Sequence, residues 1–332
     1  MKKIIYTAIL TAFAAVCTSA QKPALKPLIQ PSPSPSVAPA PVSLETILSE
    51  ATKQITVYRE TFKDLLATET KSLEDYDKNG ELKESSVVES IFLVYQSARD
   101  NNASTELRNI VKVDDKLVPD SQARANRFLA EVQKASTAEK ELEKIEKEGL
   151  RYDRTIKIYG FTFDEGIALS ENVRPICDFK LLGTEVVDGS ETYLVSYRQT
   201  KNSPYVTVNE KTPGTRGGSA EFHTGIPGAL KKTDKFLRGK LWIDKKTFQI
   251  RREVRQLAIQ TPTPIIANET TFEYAASEFG ILVPKKISFL DSDIRKISKS
   301  EDYNAVKSLS VNLDYSKFRK TRVEVQISDD DK

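Results

Sequence analysis

The sequence predicts an α+β protein built around an antiparallel sheet. Two segments carry apolar residues three and four positions apart, the spacing of a helix with one buried face. Several other segments alternate apolar and polar residues, the period of a strand with one buried face. Short turn signals separate these strands, which favours an antiparallel meander over alternating strands and helices.

The first twenty residues differ in character from the rest. Lys2 and Lys3 precede an apolar run from Ile4 to Val16, and small or polar residues follow it. This order predicts a secretory signal peptide over residues 1–20, because the run is too short to cross a bilayer as a helix. We therefore expect a periplasmic or secreted protein. A lipid anchor at Cys17 is the alternative.

Residues 21–43 form a predicted proline-rich linker. Seven of the 15 prolines lie between Lys22 and Ser43. Proline fixes φ and favours an extended, solvated backbone, so this segment predicts a semi-rigid spacer. The sequence then predicts a single folded domain over residues 44–328 and an acidic tail over residues 329–332, which includes three consecutive aspartates.

Two helices are predicted within the folded region. Ser43 can cap the first, whose apolar stripe consists of Leu44, Ile47, Leu48, Ala51, Ile55, Tyr58 and Phe62. The second follows Pro119-Asp120-Ser121 and is expected to continue unbroken to Gly149. Its charged half, from Glu139 to Glu148, is expected to face solvent.

Four segments have the clearest strand alternation. They are Tyr193 to Tyr197, Phe272 to Ala276, Val311 to Tyr315 and Val323 to Ile327. Asp188-Gly189, Asp244 to Thr247 and Phe279-Gly280 are predicted turns between strands. The glycine-rich stretch from Lys201 to Lys235 predicts a long mobile loop over the sheet.

The composition argues against several chemistries. The chain has 50 Lys+Arg and 47 Asp+Glu residues, so the strong positive charge of a nucleic-acid binder is missing. His223 is the single histidine, which leaves no basis for a histidine-rich metal site, and neither a cofactor nor a metal is expected. Loss of Cys17 with the signal would leave Cys177 alone, and we expect a buried, inert thiol there. An enzyme using His223 as a base ranks below a binding protein.

Two further patterns allow more than one interpretation. Asp75 to Gly80 matches the first half of a calcium-binding loop, but Ser86 occupies the position of the essential glutamate, so a simple turn is favoured. Basic pairs at Arg251-Arg252, Lys285-Lys286 and Arg319-Lys320 are expected to be solvated. Contact with anionic lipid headgroups at a membrane surface is their functional alternative.

One segment resembles a known family. Leu237 to Asp244, with the sequence LRGKLWID, is followed after a short turn by Phe248 to Glu253, with the sequence FQIRRE. This pattern resembles bacterial outer-membrane lipoprotein-sorting proteins, the lipoprotein-localisation carrier-like group. The hairpin from Glu69 to Val94, the segment from Glu106 to Lys116 and the stretch from Leu182 to Gly189 look like secreted members of that group.

The resemblance implies a curved antiparallel sheet that forms an incomplete β-barrel, with two or more helices packed on or capping its concave side. It also implies a periplasmic or cell-envelope protein that binds a hydrophobic ligand, either a lipid or the acyl chain of a lipoprotein. We expect a monomer, and the lack of catalytic residues favours a protein that is not an enzyme. Trp242, Tyr274, Phe289 and Tyr315 are the predicted ligand-binding residues, and a plain core role is the alternative. A tethered envelope scaffold or interaction protein is the competing function.

Overall fold

A large antiparallel sheet organises the chain. The computed structural model describes residues 42–100, 104–152, 162, 166–208, 220–222, 224–297 and 302–320. The helices are α1 (Leu44–Phe62), α2 (Ser121–Val132) and α3 (Ala138–Gly149). The strands are β1 (Leu65–Tyr76), β2 (Leu82–Gln96), β3 (Ser104–Val113), β4 (Lys116–Leu117), β5 (Cys177–Val187), β6 (Ser190–Gln199), β7 (Val206–Val208), β8 (Ala220–Phe222), β9 (Lys235–Asp244), β10 (Ile250–Ile259), β11 (Ile265–Ala276), β12 (Leu282–Lys296) and β13 (Tyr303–Lys320).

Eleven of these strands form one sheet in the order β4-β3-β2-β1-β13-β12-β11-β10-β9-β6-β5. Every neighbouring pair is antiparallel, and most pairs are consecutive in the chain. The two end strands, β4 and β5, do not pair with each other, so the curved sheet stays open. The predicted class, an α+β fold on an open barrel-like antiparallel sheet, is confirmed. Strands β7 and β8 form a separate parallel pair.

Helix α1 begins and ends where the sequence predicts. The side chain of Ser43 accepts a hydrogen bond from the backbone N–H of Thr46 at 3.1 Å, which caps the first turn. Leu44 is half-buried, and the other six residues of the predicted apolar stripe are buried. The helix therefore lies with its whole apolar face on the sheet.

The prediction of one unbroken helix from residue 121 to Gly149 is wrong. The chain forms two helices, α2 and α3, because Thr137 adopts an extended backbone and caps α3 by accepting from the N–H of Lys140. Serine and threonine favour such a cap over a place inside a helix. The two helices then fold back on each other as a hairpin, held in part by an ion pair between Arg124 and Glu148.

The helices lie on opposite faces of the sheet. Phe92 and Val94 of β2 belong to the main core with α1, whereas Leu93 and Tyr95 contact a smaller core with α2 and α3. Successive strand residues point to opposite faces, so α1 covers one face and the α2–α3 hairpin the other. We call the face under α1 the inner face and the opposite one the outer face.

The predicted turns are confirmed. The Asp77 carboxylate accepts hydrogen bonds from the N–H groups of Asn79 and Glu81, and these bonds close the hairpin between β1 and β2. The carboxylate that resembled a calcium ligand therefore serves as a turn cap. Asp188 and Gly189 both have positive φ, the requirement of a tight two-residue turn, and join β5 to β6.

Several predicted features lie outside the described residues. These are residues 1–41, His223, residues 209–219 of the glycine-rich loop, the strand from Val323 to Ile327 and the acidic tail. Among the helices that the structure describes, none combines the length and the apolar character that crossing a bilayer requires.

Candidate functional site

An aromatic cluster fills the space between α1 and the inner face. The rings of Tyr58 and Phe62 on α1 stack with centroids 5.1 Å apart. Tyr58 meets the edge of Tyr274 at 6.2 Å, and Phe62 meets Phe92 at 6.0 Å. Phe92 in turn contacts Tyr315 at 5.5 Å. The helix and the sheet therefore share one apolar layer, and this layer is the candidate ligand site.

The four predicted ligand-binding residues are all buried, but they do not share one face. Tyr274, Phe289 and Tyr315 belong to the main core on the inner face. Phe289 lies opposite Val311 in the register between β12 and β13, four positions along β13 from Tyr315 and on the same face. The structure thus brings Tyr274 and Tyr315 into the aromatic layer beneath α1 and places Phe289 elsewhere on the same inner face.

Trp242 lies apart, on the outer face. Its neighbours Leu241 and Ile243 belong to the main core, so its own side chain points the other way. The indole N–H donates to the Glu185 carboxylate at 2.7 Å, and the guanidinium of Arg252 stacks over the ring at 5.0 Å. Arg252, predicted to be solvated, instead covers an aromatic ring.

Two buried ionic clusters also lie on the inner face, and the sequence analysis missed both. In the first, Arg108 of β3 donates to both carboxylate oxygens of Glu69 at 2.7 and 2.9 Å and pairs with Glu106 at 2.8 Å. Burial alone would lower the pKa of Arg108, but the two carboxylates raise it well above its ordinary value. Glu106 also accepts from the backbone N–H and hydroxyl of Thr162. The cluster therefore ties β1 to β3.

The second cluster is centred on Glu253 of β10. Its carboxylate accepts from Arg255 at 3.0 Å, from the Tyr197 hydroxyl at 3.1 Å and from the backbone N–H of Gly166 at 2.9 Å. Burial, and then the charge of Glu253, raise the pKa of Tyr197 well above its ordinary value. Gly239 makes room for this arrangement, because a Cβ there would overlap the Tyr197 ring and the Val254 carbonyl.

Asp291 is a further buried carboxylate on the inner face, and its hydrogen-bond donors in the described part of the chain include no arginine or lysine. Burial raises its pKa to about 6, against the effect of hydrogen bonds from Thr224 and Asn268. The hydroxyl of Thr224 also reaches the backbone carbonyl of Ser292 at 3.4 Å. The part of the glycine-rich loop around Thr224 therefore lies directly on this part of the inner face.

The described parts of that loop form a second cover beside α1. Phe222 and Leu230 are buried in the main core, and Val206, Val208 and Ile226 pack against it. The inner face is thus covered by the chain's own apolar side chains, contributed by α1 at one side and by this loop at the other.

The sequence did carry a signal for the first ionic cluster. In β1 the buried positions are Leu65, Ala67, Glu69, Lys71 and Leu73. Two charged residues, Glu69 and Lys71, therefore occupy positions on the buried face of the strand, where apolar residues are expected. Charged residues are almost never buried unless they are paired, so this placement predicts ionic partners on neighbouring strands.

Cys177, the first residue of β5, agrees with its predicted inert state. It forms no disulfide, and burial together with nearby Asp178 raises the pKa of its thiol to about 12. The thiolate, which is the reactive form, is therefore scarce at neutral pH.

Neither a protein-family model nor a curated protein matches this chain. Solved structures that match it include a putative outer membrane lipoprotein-sorting protein domain from Vibrio parahaemolyticus, with 10% identity, 82% of this chain and 94% of that one covered, and a TM-score of 0.33. A LolA superfamily protein from Nitrosomonas europaea has 10% identity, coverage of 85% and 96%, and a TM-score of 0.31. The lipoprotein LppX of Mycobacterium tuberculosis has 10% identity, coverage of 84% and 98%, and a TM-score of 0.25.

Some of these solved structures are of proteins from the lipoprotein-sorting group that the sequence resembles. At TM-scores below 0.5, these similarities do not indicate what this chain does.

Proposed function

We propose that this protein binds a hydrophobic ligand, a lipid or the acyl chain of a lipoprotein, on the inner face of its sheet. The observation that carries the proposal is the way α1 is attached. Six of its side chains are buried against the sheet. Its polar ties to the rest of the described chain include a hydrogen bond from Tyr58 to the Thr162 carbonyl and a surface ion pair from Arg174 to Glu45, and neither involves a buried charge.

Such a cover can be exchanged for an acyl chain without a large loss of free energy. Apolar contacts are non-directional, and their strength follows the buried area. A buried aliphatic or aromatic side chain contributes about 1.5–3 kcal/mol, and each methylene of an acyl chain about 0.8 kcal/mol. A long acyl chain can therefore replace the contacts of α1 on the aromatic layer.

The chain boundaries suit this role. Helix α1 leads backward into the predicted linker, so we propose that residues 21–43 tether one folded domain, residues 44–328, in the bacterial envelope after loss of a signal peptide. Tyr274, Phe289 and Tyr315 are the proposed ligand-contacting residues. The buried carboxylates and guanidiniums hold strands together, which favours binding over catalysis as the role of the inner face.

A fluorescence titration tests the proposal. A dansyl-labelled fatty acid is added to the purified full chain, and its emission is followed as it leaves water. We expect a blue-shifted, saturable signal that an unlabelled fatty acid displaces. Lipid extraction of the protein as purified should also release bound lipid. A protein with no co-purifying lipid and no saturable signal would overturn the proposal.

The two faces supply matched variants. Tyr315→Leu alters the inner layer. It should lower the affinity for the probe by about threefold or more, because an aromatic contact and its area are lost. Trp242→Phe alters the outer face and should leave the affinity unchanged. Equal effects of the two variants would place the probe elsewhere.

The competing function, an envelope interaction protein, is favoured by one specific observation. Among the strands that the structure describes, β5 pairs with β6 alone, and several of its apolar side chains are exposed.

A further inference from the structure

The two edges of the sheet differ in the elements that lie next to them. At one edge, β3 is followed by the short strand β4 and by the α2–α3 hairpin, and Arg124 of α2 donates to the Ile110 carbonyl at 3.1 Å. At the other edge, β5 pairs with β6 and with no other strand that the structure describes. Its free side presents backbone groups that can pair with another strand.

The side chains of β5 are unusually apolar for a strand at the edge of the described sheet. Leu182 is 52% exposed and Val186 is 69% exposed, and Leu181 is exposed as well. Strand β5 contains no proline, although it has one lysine, Lys180, and one bulge. We propose that β5 is an interface that pairs antiparallel with β5 of a second copy of this chain, in place of the monomer expected from the sequence.

The bulge fixes which side chains share a face. Leu181 lies opposite Val195, and Gly183 lies opposite the next residue back, Leu194, so Leu182 is the extra residue. As a result, the alternation of inner-face and outer-face side chains is shifted by one position after the bulge. Lys180 and Glu185, five positions apart, both end up on the outer face, where Glu185 accepts the Trp242 indole N–H.

This shift makes β5 complementary to itself. In a two-fold antiparallel pair centred between Leu182 and Gly183, Lys180 of each copy lies opposite Glu185 of the other, on the same face. Phe179 lies opposite Val186 on the inner face in that same register. Directly opposite residues of opposite charge stabilise a strand pair, and a two-fold axis creates each such contact twice.

Neighbouring registers lack this match. A shift of one position places inner side chains opposite outer ones, which a pleated pair does not allow. A shift of two positions in one direction places Asp178 opposite Glu185, a like-charge pair that destabilises. A shift of two positions in the other direction leaves Lys180 opposite Val187. The charges therefore select one register and one partner, a second copy.

A charge exchange tests this interface. Sedimentation equilibrium over a concentration series should show a monomer–dimer equilibrium for the full chain. Lys180→Glu replaces two attractive pairs with two repulsive ones and should raise the dimer dissociation constant about tenfold or more. The double variant K180E/E185K restores opposite charges and should return the constant to within about threefold of the original value.

Asp178→Lys is the matched control. It changes charge on the same strand and face, but its partner position in the proposed register is Val187, so the dissociation constant should stay within about threefold. Thermal unfolding of each variant shows whether it is folded. In the dimer, backbone amides of residues 178–187 should exchange more slowly as the protein concentration rises.

Three results would overturn the proposal. They are a wild-type chain that stays monomeric throughout the series, a dimer that Lys180→Glu does not weaken, and a weakened dimer that the double variant does not restore. A chain that stays monomeric while its edge takes up a strand of a different protein also counts against a second copy as the occupant.

Discussion

Helix α1 and the α2–α3 hairpin are attached to opposite faces of the sheet by different forces. Helix α1 is held chiefly by apolar burial. In the hairpin, by contrast, the Glu141 carboxylate is buried against the sheet and accepts from the Ser97 hydroxyl at 2.6 Å and from Arg99 at 2.6 Å. Apolar burial can be exchanged for any apolar partner, whereas hydrogen bonds to a buried charge demand fixed donors. If the inner face binds an apolar ligand, the comparison therefore predicts that α1 is displaced more easily than the hairpin.

The largest effect is expected beneath α1, in the sheet itself. Arg108→Met removes the guanidinium that pairs with the buried carboxylates of Glu69 and Glu106, and should lower the free energy of unfolding by about 3–5 kcal/mol. Chemical denaturation measures this loss. Arg99→Met, which removes a guanidinium that is 46% exposed, should cost about 1 kcal/mol. Equal losses would show that burial does not set the strength of these pairs.

Phe62→Ala tests the attachment of α1 directly. The ring is fully buried and contacts Tyr58 and Phe92, so its removal should lower the free energy of unfolding by about 3 kcal/mol. Because α1 is then held less strongly on the inner face, this variant should also bind a dansyl-labelled fatty acid more tightly. Val57→Ala, at an exposed position of the same helix, should change stability by less than about 0.5 kcal/mol. Unchanged or weaker probe binding by Phe62→Ala would argue that α1 is a fixed part of the core.

Glu141→Gln tests the attachment of the hairpin. Loss of the charge-assisted hydrogen bonds should cost about 2 kcal/mol and leave probe binding unchanged. The hydrogen bond from Ser97, followed by that from Arg99, lowers the pKa of Glu141. Its stabilising contribution is therefore present above the unfolded pKa of 4.5 and is lost as the pH falls below it. A pH series of denaturation curves should show that the difference in free energy of unfolding between the wild type and Glu141→Gln becomes smaller in acid. Tighter probe binding by this variant would remove the contrast with α1.

Asp291 should show the opposite pH dependence. Burial raises its folded-state pKa from 3.8 to about 6, so the folded protein holds a proton that the unfolded chain releases. Its favourable contribution is complete below pH 3.8 and is lost as the pH rises through about 6. Asp291→Asn should therefore be more stable than the wild type at neutral pH by about 1–2 kcal/mol, with the advantage vanishing in acid. A variant that is less stable at neutral pH would contradict this sign.

Ser43→Ala is the mildest way to loosen α1. Removing the cap exposes the N–H of Thr46 and should cost about 1 kcal/mol at most. Thr137→Ala removes the equivalent cap of α3 at a similar cost. Only the Ser43 variant should raise the affinity for the fatty-acid probe, as measured by the same titration. Identical effects of the two cap variants on binding would indicate a general loosening of the fold.

Much of this fold could be predicted from local patterns. The stripe on α1, the cap at Ser43 and the turn at Asp188-Gly189 depend on residues close together in sequence, and the structure has all three. The break between α2 and α3 was missed because apolar spacing continues across it, and the cap at Thr137 outweighs that spacing.

The candidate site was harder to predict for a physical reason. Arg108 and Glu69 are 39 positions apart, and only the strand register brings them together. The face on which an aromatic residue lies depends on its phase within the strand. Trp242 therefore has the same residue type as a groove-lining side chain but lies on the outer face, whereas Tyr274 and Tyr315 lie beneath α1.

Hydrogen exchange followed by mass spectrometry tests the central claim most directly. The full chain is labelled with and without lysophosphatidylcholine held below its critical micelle concentration. If an acyl chain displaces α1, exchange in residues 44–62 should accelerate when the lipid binds, while exchange in residues 121–149 stays the same. Saturable binding with unchanged or slower exchange in residues 44–62 would contradict the account.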